Sequence, residues 1–282
     1  LVDVSASRLE KRWGYCSKLL IKVEESRVRI VHGDRTCLDY ADLLLGRWLE
    51  LDDALRDVST GSLRRIVEEV ATVYRWLGVA TSPNDDVDLF ASIHMSRNTD
   101  YHRNVVRWLR SILQLYGTSM SIAEVPVEEL VQRVGRSYQI TQLPIAIRAY
   151  LASREMALKL GAWEARRAVM SIPFAGPKVA DAFMLFVRLD PRYPPIDTNF
   201  TTFIQVLGLE KVLGDRPPEK RLCLRYTCST CPAAPRCVSN LSRQRLGRVA
   251  GWLQTVAYVH VKKFCRSRAC NRCPLRYLCT AR

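Results

Sequence analysis

Eight of the chain's ten cysteines fall into two quartets, Cys223, Cys228, Cys231, Cys237 and Cys265, Cys270, Cys273, Cys279. Both read C-x4-C-x2-C-x5-C, and each has a proline directly after its third cysteine, Pro232 and Pro274. Four thiols around a tight x2 pair point to metal, as a four-cysteine zinc site or a [4Fe–4S] cubane. Zinc sites usually pair their cysteines as two C-x2-C knuckles. Each quartet here has one x2 pair between longer steps, which fits a single chain wrapping around a cubane. The expected cofactors are two [4Fe–4S] clusters, with one [4Fe–4S] and one zinc as the alternative. A disulfide framework fits poorly, because such frameworks belong to small secreted domains, and this is a 282-residue chain with no signal-peptide pattern at its start. Cys16 and Cys37 lie far away in apolar or strand-like settings and read as buried structural cysteines.

Charge narrows the partner. The chain carries 43 Lys plus Arg against 28 Asp plus Glu, a net +15. Residues 223–282 contain twelve Lys/Arg and no acidic residue, so the excess is concentrated where the quartets lie. A polyanion suits such a surface, and nucleic acid is favoured over anionic lipid. At 48% hydrophobic and 25% charged the chain is globular, and no apolar run reaches the ~20 residues of a membrane span. Reduced thiolates without a targeting signal lead to the expectation of a cytoplasmic, nucleoid-associated protein of prokaryotic origin.

Residues 16–40 read as strands, alternating on either side of polar turns at Glu24-Glu25-Ser26 and Gly33-Asp34. Helical patterning follows at 51–58, 60–76, 86–96, 101–116, 126–134, 143–160, 162–171, 177–188, 198–207 and 243–264. The six tryptophans and the lone His94 and His260 read as core residues.

The most informative stretch is Ser171-Ile-Pro-Phe-Ala-Gly-Pro-Lys178. One helix ends near Ser171, a tight turn follows, and Pro177 opens the next helix. The second helix's free N–H groups and dipole make a phosphate seat. Lys178 lies in its first turn, where the positive helix end disfavours the ammonium form, and a neutral amine can attack a sugar C1′. Asp197 follows the stiff Pro194-Pro195 connection, either as a helix N-cap or as a carboxylate facing the sugar.

Taken together, Ile172-Pro-Phe-Ala-Gly-Pro-Lys178 and Ile196-Asp-Thr-Asn199 resemble the signature of the helix-hairpin-helix DNA glycosylases, the endonuclease III and 8-oxoguanine glycosylase superfamily. Lys178-Val-Ala-Asp181 is similar to the 8-oxoguanine branch, and the second quartet sits where endonuclease III carries its cluster. Three departures stand out. Phe174 replaces the first hairpin glycine, Asn199 replaces a histidine, and the first quartet is additional.

The resemblance implies a mainly α (α+β) fold with a small N-terminal antiparallel sheet (1–45), a helical glycosylase core (46–222) and a Cys-rich basic region (223–282). It implies Lys178 as nucleophile and Asp197 as the essential carboxylate. Phe174, Ala175, Gly176 and Pro177 would contact DNA through the hairpin, and Arg97 and Asn98 would fill the gap left by a flipped base. His102 is a candidate for the base pocket. The partner would be double-stranded DNA carrying a damaged base or an abasic site, bound by a monomer. A glycosylase with lyase activity is the leading expectation. A monofunctional glycosylase for uracil, mismatched thymine or alkylated bases, and a non-catalytic metal-stabilised DNA-binding protein, are the alternatives.

Overall fold

The computed structural model describes residues 2–5, 8–24, 27–33 and 35–280. The chain opens with a four-stranded antiparallel meander, β1 (Val2–Ser5), β2 (Arg8–Lys11), β3 (Leu20–Glu24) and β4 (Arg27–His32). β3 and β4 are the strands expected from alternation; turn residues Glu25, Ser26 and Asp34 lie outside the described residues. Beyond β4 the strand expectation fails. Residues 35–37 form a 3-10 turn leading into α1 (Leu38–Leu45), because Cys37 and Ala41, a helical turn apart, both pack against Leu19 and Ile21. Cys16 and Cys37 are not two separate buried thiols but a disulfide, closing a loop of sequence separation 21. Lys11, almost wholly buried, docks the sheet on the helical body by donating to Asp85 at 2.6 Å.

Helices dominate the rest. They are α2 (Leu51–Ala54), α3 (Ser62–Tyr74), α4 (Asp86–Met95), α5 (Val106–Tyr116), α6 (Val127–Arg133), α7 (Tyr138–Lys159), α8 (Ala162–Ser171) and α9 (Pro177–Phe186). There follow α10 (Thr198–Val206), α11 (Glu210–Leu213), α12 (Lys220–Arg225), α13 (Val238–Leu246) and α14 (Val249–His260). Two π-turns interrupt this order, at Tyr101–Val105 and at Val261–Cys265 directly after α14. α7 starts five residues earlier than expected, capped by the Ser137 side chain, and runs through Pro144. The ring forfeits one backbone hydrogen bond, while complete burial of Ile140, Leu143, Ile147 and Tyr150 holds the helix together.

Two apolar cores lie side by side. The first gathers α4 to α9 around Phe90, Tyr150 and Phe183; the second gathers α3, α10, α13 and α14 around Phe200, Phe203 and Trp252. α9 belongs to both, since Phe183 and Met184 face the first core and Leu185 the second. Gly251 lets α14 close on this seam: a Cβ there would stand 2.5 Å from a Leu185 methyl and 2.9 Å from the Pro191 carbonyl oxygen. Trp252 is core as expected, but Trp76 is 72% exposed.

Candidate active site

The hairpin forms where the sequence placed it. α8 ends at Ser171, Ala175 N–H closes a turn on the Ile172 carbonyl at 3.1 Å, and Pro177 starts α9. Lys178, in the first turn of α9, reaches back to the end of α4. Its Nζ donates to the Ser96 carbonyl at 2.9 Å and to Ser96 Oγ at 3.2 Å. Burial depresses the lysine's pKa, nearby Arg97 depresses it further, and Asp197 opposes both. The depression the sequence suggested is present, with desolvation rather than the helix end as its largest cause.

Asp197 takes up the capping role weighed for it, with its second oxygen left for another partner. Oδ1 caps α10 by accepting Phe200 N–H at 2.8 Å, while Oδ2 accepts from Asn199 Nδ2 at 3.0 Å and the carboxylate faces the Lys178 charge. Asn199, the departure at the usual histidine, is therefore the residue that orients the carboxylate. Capping fixes the carboxylate at the start of α10, close enough to act on the Lys178 charge.

Arg97 is a fastener here. Its guanidinium donates to the His94 carbonyl at 2.7 Å, the Phe174 carbonyl at 2.9 Å and Gln142 Oε1 at 2.8 Å. It ties α4, the hairpin and α7 together. Asn98 beside it is exposed, with a left-handed φ of 49°. Ser96 and Gln142 escaped sequence reasoning, since a serine at a helix end carries no signal until the fold brings a lysine to it.

A polar-aromatic cluster adjoins Asp197. Tyr258 at the end of α14 is close enough to feel the Asp197 charge, and its ring lies 6.1 Å from that of His102. Lys262, one helical turn on, donates to Asp100 Oδ2 at 2.9 Å and to Tyr258 Oη at 3.3 Å. Asp100 also caps the first π-turn, and these bonds hold its carboxyl at about 2, well below the usual range. Both π-turns thus contribute to one wall; such turns often mark functional positions. Of this wall only His102 drew notice in the sequence. The Tyr258–Lys262 pair, four residues apart on one helical face, was the available signal.

The cysteine quartets differ. None of the eight thiols is in a disulfide. In the first quartet Cys223 and Cys237 are buried. Arg243 Nη2 donates to Cys228 Sγ at 2.5 Å, and Arg166 Nη2 approaches Cys223 Sγ at 3.9 Å. Nη1 of each arginine is buried without a hydrogen-bond partner. Buried guanidinium groups with donors to spare require anionic neighbours, and metal-bound thiolates would supply them, so the donor set fits a thiolate-ligated metal. In the second quartet burial raises the Cys265 pKa, and Cys273, Cys279 and Cys270 raise it further by proximity. Among the described residues no three His, Cys, Asp or Glu side chains close around a site for one ion.

The fold built around this hairpin is shared with solved DNA glycosylases. Among solved structures, it is similar to the Clostridium acetobutylicum 8-oxoguanine glycosylase/lyase in complex with double-stranded DNA containing cytosine opposite 8-oxoguanine. That match has a TM-score of 0.60 at 10% identity and covers 93% of this chain and 98% of that one. The apo form of the same enzyme matches with TM-score 0.60 at 11% identity over 92% and 98%. A trapped endonuclease III–DNA covalent intermediate matches with TM-score 0.56 at 15% identity over 77% and 93%. No protein-family model and no curated protein matches the sequence. No helix among the described residues is long and apolar enough to cross a membrane.

Proposed function

We propose that the chain is a DNA glycosylase with lyase activity, acting on duplex DNA that carries a damaged, oxidised base. The observation that carries this reading is Lys178. A desolvated lysine with a depressed pKa, held at the start of the hairpin's second helix opposite a capped carboxylate, has the properties of an amine nucleophile.

A base must leave the helical stack before chemistry can reach its sugar. The hairpin N–H groups and the basic surface would hold phosphates, and Tyr258, Lys262, Asp100 and His102 would line the base pocket. The Lys178 amine attacks C1′ as the C1′–N bond breaks, and its electron pair leaves with the base, which takes a proton. Asp197 stabilises the positive charge developing on the sugar. Loss of the amine proton and opening of the ring at O4′ give a Schiff base. Removal of a C2′ proton then expels the 3′ phosphate, nicking the strand.

The quartets would hold two [4Fe–4S] clusters, whose task is to shape the protein, since four cysteines leave no open ligand position. Around one zinc, with Zn–S bonds of about 2.3 Å, four sulfurs must nearly touch. One [4Fe–4S] cluster and one zinc is the alternative. Iron and zinc content per chain, with the visible absorption spectrum, decides between them.

Borohydride trapping tests the mechanism, using duplexes with 8-oxoguanine, thymine glycol, uracil, an abasic site or no lesion. A covalent adduct on an oxidised base, lost in Lys178→Gln, is expected. Base release without an adduct, surviving Lys178→Gln but not Asp197→Asn, would indicate a monofunctional enzyme, and binding with neither would indicate a non-catalytic grip. The amine reacts only when neutral, so the trapping rate should climb with pH and level off below lysine's ordinary 10.5. Asp197 holds the ammonium form, so in Asp197→Asn the residual rate should level off at lower pH.

A further inference from the structure

Glycine and side chain are allotted in reverse along the hairpin. Phe174 has φ +64°, a left-handed conformation that costs energy in any residue bearing a Cβ. Gly176 has φ −127° and ψ −174°, which any residue adopts, and a Cβ added there would meet nothing within 4 Å. The fold thus has no internal reason for a glycine at 176 and a good one at 174. Open space over Gly176 leaves its backbone accessible to something outside the chain, which is one use of glycine.

The Phe174 ring is also only partly packed. It is 45% exposed between Ile172 at 2% and Ala175 at 1%, and it is the one exposed phenylalanine of seven. The strained peptide is pinned, because Arg97 donates to its carbonyl at 2.9 Å. The same guanidinium anchors the end of α4, whose Ser96 holds Lys178. The ring therefore projects from a fixed point next to the nucleophile, on a chain of net charge +15.

The geometry points to Phe174 as an apolar DNA contact: its ring lies on the deoxyribose face of the strand whose phosphate seats over Gly176. The left-handed backbone aims the ring outward, and the bare glycine lets the phosphate approach. The contact adds affinity without charge, beside a hairpin that otherwise grips by charge and hydrogen bonding. This rests on the glycosylase reading and adds to it a means of holding the strand.

The test compares Phe174→Gly, Phe174→Asn and Phe174→Tyr with the wild type, in binding to an uncleavable abasic-analogue duplex across a salt series and in thermal melting. Glycine and asparagine both accept left-handed φ, so both variants should melt at or above the wild-type temperature. Both should bind about tenfold more weakly, the scale of one aromatic–nucleotide contact. The slope of log Kd against log salt should stay unchanged, because the ring neutralises no phosphate. Phe174→Tyr should bind like the wild type. Glycine and asparagine variants that bind as tightly as the wild type, or that show a reduced salt slope, would overturn the assignment. So would a melting temperature that falls in both, which would make the ring a packing element. A wild-type protein that binds no duplex fails the glycosylase reading itself, and the ring's role with it; binding indifferent to residue 174 fails the ring alone.

Discussion

The two cysteine quartets share one spacing and differ in setting. The first is the more deeply set, with Cys223 and Cys237 buried, and its arginine neighbours reach the segments that carry Lys178 and Asp197. Arg166 spans from Cys223 to Asp181, one turn after Lys178 on α9, and Ser239 of α13 donates to the same Asp181 at 3.3 Å. Arg243 donates to Cys228 and lays its guanidinium 4.9 Å from the ring centre of Tyr193, just ahead of the proline connection to Asp197. The second quartet is peripheral. Cys270 is exposed, and the loop is fastened by Tyr277 donating to Glu69 of α3 and by Thr280 N–H donating to the Val206 carbonyl at 2.7 Å. Identical ligand spacing therefore says nothing about function until the neighbours of the sulfurs are known. The first quartet is tied to the frame of the site through Arg166 and Arg243, and the second begins in the π-turn that carries Lys262 and so borders the site's wall.

The sharpest way to break this contrast is to remove one cysteine from each quartet. On the proposed metal occupancy, Cys237→Ser should unfold the protein or lower its melting temperature steeply, because structural metal binding supplies about 10 kcal/mol of folding free energy. Cys270→Ser should leave the helical body folded and weaken DNA binding. Thermal melting with metal analysis reads both, and equal losses would erase the distinction.

A smaller effect sharpens the first quartet alone. Arg166 and Asp181 are both 0% exposed and paired at 2.5 Å, so Arg166→Met should cost about 3–5 kcal/mol in urea denaturation by stranding a buried charge. Arg166→Met with Asp181→Leu should recover much of that loss. The smallest effect belongs to the second quartet. Tyr277→Phe removes one exposed hydrogen bond, and its cost should stay within about 1 kcal/mol by the same measurement.

Local chemistry was legible in the sequence and assembly was not. Pro177 and Lys178 could be placed on a helix start because proline position and turn residues are local rules. The same holds for Asp197, whose capping geometry spans three residues. The quartets announced themselves by spacing. Asp181, part of the motif similar to the 8-oxoguanine branch, is committed to a buried pair with Arg166, which no local pattern encodes. Arg97, expected at the gap in DNA, binds three backbone and side-chain acceptors within the chain, a set of bonds likewise not encoded locally. The Cys16–Cys37 bond was missed because a two-cysteine pairing across twenty-one residues follows no spacing rule. α7 was started late because a proline outweighed four buried apolar side chains in a local reading.

That disulfide also bears on how the chain can be made. A protein holding one cystine and eight thiols courts mispairing, since any thiolate can attack the bond or compete to form it. Synthesis runs from the N-terminus, so Cys16 and Cys37 leave the ribosome long before Cys223 is added. The staple can close while its competitors do not yet exist. Refolding the full-length denatured chain removes that order in time. A maturation that succeeds during translation and fails from denaturant would be its signature.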